Sequence, residues 1–412
     1  MIKKAIILIE NSPHPLSEVA GVSLIKRAVL SSQKAGIEEI WIVAGDTEEK
    51  LYESFMGDKR LKSKINWING VIEKGVFSRL KDGIRENFLL ITSHYLFNQK
   101  FLNSLLEYPL NNNGKAVRIA DTGICMCTPY LFTVMEKESE GNRFSFDNGI
   151  RALAGKNMLK TYNNSDGFIF RIRSKSDISK AGRWLYATLT NPDEGFLERI
   201  INRKFSILIT RLLIKTPVTP NHITVISILT GLTAAFFLST GEYGYAILGS
   251  FIFLISTILD CTDGEIARLR YQESKYGSLL DMIGDNVVHL AIFCGITIGV
   301  YRKIGEEYIL TLGALAIIGS IFIFFILLYN MMGKDRGSDT PSSLSAVEKR
   351  EYGVEGIITK LINRDFVYII IAFTIIDILY WFLWISAIGA NLVWTIILFM
   401  HFAKRESDKM PA

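Results

Sequence analysis

The sequence predicts a multidomain chain, a soluble α/β domain followed by an all-α membrane domain of six helices, and three observations carry that reading. First, the 412 residues are 49% hydrophobic with a positive mean hydropathy, too long for one ordinary domain and too apolar for a typical soluble pair. Second, residues 1–215 mix charges throughout, whereas 223–403 hold long apolar runs between short polar loops. Third, the apolar half carries aspartates at helical spacing, which a membrane helix tolerates only for a reason.

The elements follow in chain order. Ala5 to Ile9 is an apolar run of five residues closed by Glu10, shorter than a signal-peptide core, and reads as a first strand. Ile40 to Val43 and Phe88 to Thr92 repeat the pattern, with amphipathic segments such as Leu24 to Ala35 between them, as in a parallel sheet with crossover helices. From about Ser176 to Lys215 the chain turns amphipathic, setting Arg199, Arg203, Lys204, Arg211 and Lys215 among Phe196, Leu197, Ile200, Phe205 and Leu208. Such a helix can lie on an anionic membrane surface, or serve as a plain linker with a solvated basic face.

Pro217 and Pro220 stop any helix before the membrane half. Six spans are predicted there: Ile223 to Ser239, Tyr245 to Arg268, Gly277 to Tyr301, Tyr308 to Met332, Phe366 to Trp384 and Ile385 to Phe402. Basic residues gather before span one, between two and three, between four and five, and after six, which puts those regions on the cytoplasmic side. Arg302 and Lys303 are the exception. The domain boundaries expected are 1–175, a linker with a juxtamembrane helix at 176–220, the membrane domain at 221–405 and a cytoplasmic tail at 406–412. A net charge of +5, with no basic stripe interleaved with aromatics, argues against nucleic acid as a partner. Cys125, Cys127, Cys261 and Cys294 lack zinc-finger spacing.

Asp260 and Asp263 are three residues apart and Asp281 and Asp285 four apart, so each pair projects from one helical face. Two antiparallel helices joined by a short loop then aim four carboxylates at one spot. Each ionised aspartate costs about 2.5–3.5 kcal/mol toward a bilayer centre, and like charges add repulsion. Two divalent cations, Mg²⁺ or Mn²⁺, offset that cost and bridge phosphate oxygens, which points to phosphoryl-type chemistry. Gly264 and Gly277 allow close approach, Ala267 keeps a wall small, and Arg268 can set a guanidinium on a pyrophosphate. An ion channel or transporter is the rival of another class, since intramembrane aspartates also line ion pathways.

The string Asp260, Asp263, Gly264, Ala267, Arg268, Gly277, Asp281, Asp285 resembles the signature of the CDP-alcohol phosphotransferase family, with eight residues between Arg268 and Gly277. Thr219 to Thr224, at the mouth of span one, resembles the same family. The resemblance, over roughly 195–405, implies six membrane helices and commonly a homodimer. It implies that Asp260, Asp263, Asp281 and Asp285 hold the metals, that Asp285 is also the general base, and that Gly264, Ala267, Arg268, Gly277, Asn221 and Thr224 bind the cytidine diphosphate. It also implies a CDP-alcohol donor and CMP as leaving group, with the active site cytoplasmic on a multi-pass protein of the cell membrane.

The run from Pro15 to Arg27, continuing through Ala35, Gly36 and Ile37 to Val43, Ala44 and Gly45, resembles nucleotidyltransferases that activate sugar or inositol phosphates. The first domain is thus expected to be nucleotidyltransferase-like. Those enzymes carry a glycine-rich loop after strand one, where this chain has Glu10, Asn11, Ser12, Pro13 and His14. His14 replaces the family's lysine and Ser93 its metal-binding aspartate, so the domain is expected not to catalyse but to serve in folding, assembly or nucleotide sensing, with residual cytidylyltransferase activity as the alternative. Fusion to such a domain resembles bifunctional enzymes that join CDP-inositol to inositol phosphate, which favours a phosphorylated polyol as acceptor. A phospholipid synthase using CDP-diacylglycerol is the rival within the class. Lys334, Arg336, Lys360 and Arg364 are candidates to gather that acceptor, or simply orient the chain by positive charge. His222 and His289 read as structural.

Overall fold

The computed structural model describes residues 2–9, 15–44, 48–69, 72–110, 116–119, 122–139, 143–162, 168–190, 195, 197–334 and 366–407. They form two compact units, Met1–Thr188 with Leu269–Tyr271, and Leu189–Arg268 with Gln272–Ala412.

The strands of the first unit are β1 (Lys4–Leu8), β2 (Glu18–Val19), β3 (Val22–Ser23), β4 (Glu39–Ala44), β5 (Lys64–Asn69), β6 (Phe88–Thr92), β7 (Tyr95–Phe97), β8 (Ala116–Ile119), β9 (Ile124–Cys127), β10 (Leu159–Tyr162) and β11 (Ile169–Arg171). Its helices are α1 (Leu24–Lys34), α2 (Glu48–Phe55), α3 (Lys74–Gly83), α4 (Gln99–Glu107), α5 (Tyr130–Lys137), α6 (Phe146–Gly155) and α7 (Lys175–Ala187). Seven strands make one sheet in the order β10-β8-β9-β6-β1-β4-β5. The three strands read from sequence are neighbours at its centre and run parallel. The sheet as a whole is mixed rather than parallel, because β9 runs antiparallel to both β6 and β8. Only four residues separate β8 from β9, too few for the crossover that a parallel pair needs.

Both faces of this sheet are buried, and the period of two sorts its side chains between two cores. Ile7, Ile40, Ile42, Leu89, Ile91 and Met126 fill one core. Ile6, Val43, Phe88, Leu90, Cys125 and Cys127 fill the other. Fully burying one such aliphatic or aromatic side chain contributes about 1.5–3 kcal/mol, so the alternation fixes the register of the central strands.

The second unit opens with a π-helical turn, Glu198–Asn202, that runs directly into α8 (Arg203–Leu213). Then come α9 (Pro220–Leu238), α10 (Tyr243–Arg270), α11 (Lys275–Ile304), α12 (Tyr308–Lys334), α13 (Phe366–Ile375) and α14 (Leu379–Ser407). Pro220 stands at the first turn of α9, where its missing N–H removes no helical bond. Among the described residues four helical segments are long and apolar enough to cross a membrane: α9, α10, α11 and Leu379–Ile396 of α14. Tyr308–Ile323 and α13 are shorter apolar helices.

The predicted boundary between spans five and six is displaced. The helix beginning at Phe366 ends at Ile375, and the next starts at Leu379 instead of Ile385. Asp377 takes a left-handed conformation, φ 64°, while Ile378 N–H donates to Phe373 O and Asp377 N–H to Thr374 O. Those crossed bonds close a Schellman turn with aspartate where glycine is usual, so no glycine or proline announced the break. The same device ends α10, with Tyr271 at φ 56° and Gln272 N–H donating to Ala267 O.

Candidate active site

The site is built at the junction of α10 and α11. The short loop between them returns the chain antiparallel, and Ser274 caps the new helix by accepting from the Gly277 N–H at 2.9 Å. Asp260 lies ten residues before the end of α10, and Asp281 and Asp285 lie six and ten residues after the start of α11. One carboxylate oxygen from each of these three residues falls within 4.8 Å of the others. Asp260 is buried, while Asp281 and Asp285 are half-buried and open to a ligand.

Asp263 stands outside that group of three. It is buried, and its Oδ2 accepts a hydrogen bond from Thr224 Oγ1 of α9. It is still close enough to Asp260 and Asp281 to feel their charge. Three of the four predicted ligands therefore meet, and the fourth is tied to a residue predicted for the nucleotide.

The other expected contacts fall into two small groups. A side chain at Gly277 would meet Asn221 Oδ1 at 3.2 Å and Ser274 Oγ at 3.0 Å, so Asn221 and Gly277 adjoin. A side chain at Gly264 would meet Arg268 Nη1 at 3.3 Å, which places the guanidinium over that glycine. Ala267 is half-buried between them in sequence, and Arg268 is exposed. Of the residues suggested for an acceptor, Arg336, Lys360 and Arg364 lie outside the described residues, as do Glu10 to His14 and the Lys334 side chain. Ser93 closes β6, buried, with its N–H donating to Leu8 O. His222 is exposed, and His289 packs against the rings of Phe253 and Phe366.

The donor set of the trio is all carboxylate oxygen. Hard divalent cations take such ligands at about 2.0–2.6 Å, and the spacing of the three oxygens fits ligands shared around such ions. No thiol or imidazole that would select zinc belongs to the group.

Sequence reasoning missed one charged network. Arg203, predicted to sit on a solvated or lipid-facing basic stripe, is buried, and its Nη1 lies 3.0 Å from Glu265 Oε1. The signal was present: Arg203, Ser206 and Thr210 share a face at spacings of three and four, and Glu265 is a third carboxylate in span two.

Residues 217–392 match the family described as CDP-alcohol phosphatidyltransferase. Among curated proteins, a "Bifunctional IPC transferase and DIPP synthase" of Aquifex aeolicus is 24% identical over 69% of this chain and 72% of its own length. Proteins of the same name from Thermococcus kodakarensis and Archaeoglobus fulgidus are 24% and 26% identical, each over 76% of this chain, and over 78% and 67% of their own lengths. Among solved structures, an inositol-1-phosphate CTP transferase from T. maritima is 16% identical with a TM-score of 0.35, over 44% of this chain and 96% of that one. The family match spans the helices that bear the three converging carboxylates: the C-terminal part of this chain is a CDP-alcohol phosphatidyltransferase domain, and the chain is a transferase of phosphate-containing groups.

Proposed function

We propose that the chain transfers a phosphoalcohol group from a CDP-alcohol to an acceptor hydroxyl and releases CMP, with CDP-inositol as donor and inositol phosphate as acceptor. The observation that carries this reading is the meeting of Asp260, Asp281 and Asp285 within 4.8 Å at the junction of two apolar helices. The names of the relatives support the choice of substrates.

In this reading Asp260, Asp263, Asp281 and Asp285 hold two divalent ions, Mg²⁺ or Mn²⁺. When bound, the ions neutralise charge on the diphosphate as the leaving group departs. Asp285 takes the proton of the acceptor hydroxyl. The hydroxyl oxygen forms a bond to the β-phosphorus, the bond from that phosphorus to the CMP oxygen breaks, and CMP leaves with the bonding pair. Thr224 holds Asp263 in place by donating to it, Gly264, Ala267, Asn221 and Gly277 leave room for the cytidine, and Arg268 sets its guanidinium on the diphosphate. The protein works as a homodimer in the cell membrane with this site and the α/β domain on the cytoplasmic side. The α/β domain itself does not catalyse: Ser93 offers no carboxylate where the nucleotidyltransferases it resembles bind metal.

The test is a product analysis on purified full-length protein given a panel of CDP-alcohols and phosphorylated polyols. CDP-inositol with inositol phosphate should give CMP and a di-inositol product by mass. A lipid product from CDP-diacylglycerol alone would move the substrate assignment to a phospholipid synthase. Asp285→Asn should lower transfer by about 10²–10⁴-fold while CDP binding persists, and near-normal turnover would remove Asp285 as the base. CTP with inositol phosphate should yield no pyrophosphate, and clear turnover would restore catalysis to the α/β domain.

A further inference from the structure

Helix α8 is turned inside out relative to a soluble amphipathic helix. Its polar residues Arg203, Ser206 and Thr210 are 8%, 0% and 0% exposed, whereas Phe205, Leu208 and Leu212 are 54%, 55% and 68% exposed. All three polar side chains converge on one carboxylate, Glu265 of α10, which is fully buried. Arg203 Nη1 donates to Glu265 Oε1 at 3.0 Å, Ser206 Oγ donates to the same oxygen at 2.6 Å, and Thr210 Oγ1 donates to Oε2 at 2.6 Å.

Adjacent to Arg203, Asn202 is also buried and accepts from Tyr368 Oη of α13 at 2.7 Å. The junction of the π-helical turn and α8 thus presents two consecutive residues to two different helices, and π-helical widening of this kind recurs at functional sites.

A buried ion pair is no efficient source of stability, because well-packed apolar residues of the same volume serve as well or better. A further role is suggested by what stands next to it. Glu265 is two residues beyond Asp263, about 200° around the helix, so it braces the flank of α10 away from the aspartates. Arg268 follows three residues later on the neighbouring position, in the electrostatic field of both Arg203 and Glu265. Glu265 balances the Arg203 guanidinium that would otherwise repel Arg268. Without Glu265 that repulsion is opposed, among carboxylates, by Glu273 alone.

We propose that Glu265, clamped by Arg203, Ser206 and Thr210, is a positioning residue that fixes the Arg268 guanidinium for the diphosphate of the nucleotide. The inference rests on the reading of Arg268 as a diphosphate partner. Breaking only one half of the pair confounds folding with positioning, so the variants are paired. Arg203→Met/Glu265→Met removes both charges at similar volume, and Ser206→Ala/Thr210→Val removes two hydroxyl donors and no charge.

Full-length protein in detergent is examined with Mg²⁺ for CDP affinity, melting temperature, and KM and kcat for the CDP-alcohol. The methionine pair should melt within a few degrees of wild type while its Kd for CDP and its KM rise about tenfold and kcat changes less than about threefold. The hydroxyl pair should move CDP affinity in the same direction by about threefold. Unchanged CDP affinity in a methionine pair that keeps its melting temperature overturns the inference. If the methionine pair does not fold, unchanged affinity in the hydroxyl pair overturns it instead. Wild-type protein that binds CDP and releases no CMP defeats the proposed reaction and leaves this inference to be decided by the affinities. Wild-type protein that does not bind CDP defeats the reading of Arg268 before any variant is compared.

Discussion

Asp263 and Glu265 are two residues apart on one helix, and their surroundings give their charges different work. Asp263 feels other carboxylates and one hydroxyl, which suits a site awaiting cations, while Glu265 has its own arginine. The aspartates were legible in the sequence because the cost of four carboxylates in an apolar region demands an explanation. Glu265 stands in the sequence as a further carboxylate but its pairing was overlooked, since its partners lie 55–62 residues away on a helix whose basic residues suggested a lipid surface. Lys303, an exception to the charge pattern in sequence, is paired with Asp377 across 74 residues. In the α/β unit, His94 is buried and accepts from Arg171 Nε at 3.1 Å. Burial first, then the charges of Arg171 and Arg173, push its pKa down to about 4. A depressed histidine pKa gives stability that is present above the unfolded value near 6.5 and is lost as pH falls toward 4. Unfolding followed by tryptophan fluorescence should therefore show a loss of up to about 3 kcal/mol from this residue between those limits, and His94→Gln should remove that part of the acid sensitivity. An identical pH profile in the variant would refute the assignment.

At the scale of elements, α9 and α11 approach so closely that glycine is required. A side chain at Gly295 would meet Ala235 O at 2.4 Å, and one at Gly299 would meet Leu238 O at 2.1 Å. Backbone atoms cannot yield as a side chain does, so Gly299→Ala should cost about 1–3 kcal/mol, read as a lower melting temperature in detergent. Gly389→Ala, with nothing within 4 Å of the added carbon, should melt like wild type. Equal melting of both variants would contradict the close packing of α9 on α11. Hydropathy found the long helices to within a few residues. It misplaced the α13–α14 boundary because that break depends on one aspartate adopting a left-handed backbone, a choice made by tertiary context. The central strands were legible for the opposite reason: burial on both faces gives β1, β4 and β6 unbroken apolar runs. The antiparallel β9 was not, since Ile124–Cys127 is as uniformly buried as its neighbours and only its four-residue link to β8 gives its direction.

Across the membrane unit, charge is separated by length. Asp281 and Lys303 are 22 residues apart on α11, roughly 33 Å, close to the thickness of a bilayer's hydrocarbon core. The carboxylate site and the Lys303–Asp377 pair consequently sit at opposite ends of that helix, which leaves its apolar middle free of charge as a bilayer requires. The acidic end carries the account's central claim, that Asp260, Asp281 and Asp285 share divalent cations from two helices. Titrating Mn²⁺ into the full-length protein with CDP present, and following free Mn²⁺ by electron paramagnetic resonance, tests it directly. Wild type should take up two ions, while Asp260→Asn and Asp281→Asn should each lose at least one and lose CMP release in step. Undiminished Mn²⁺ binding in both variants, or CMP release that continues without any divalent ion, would contradict it.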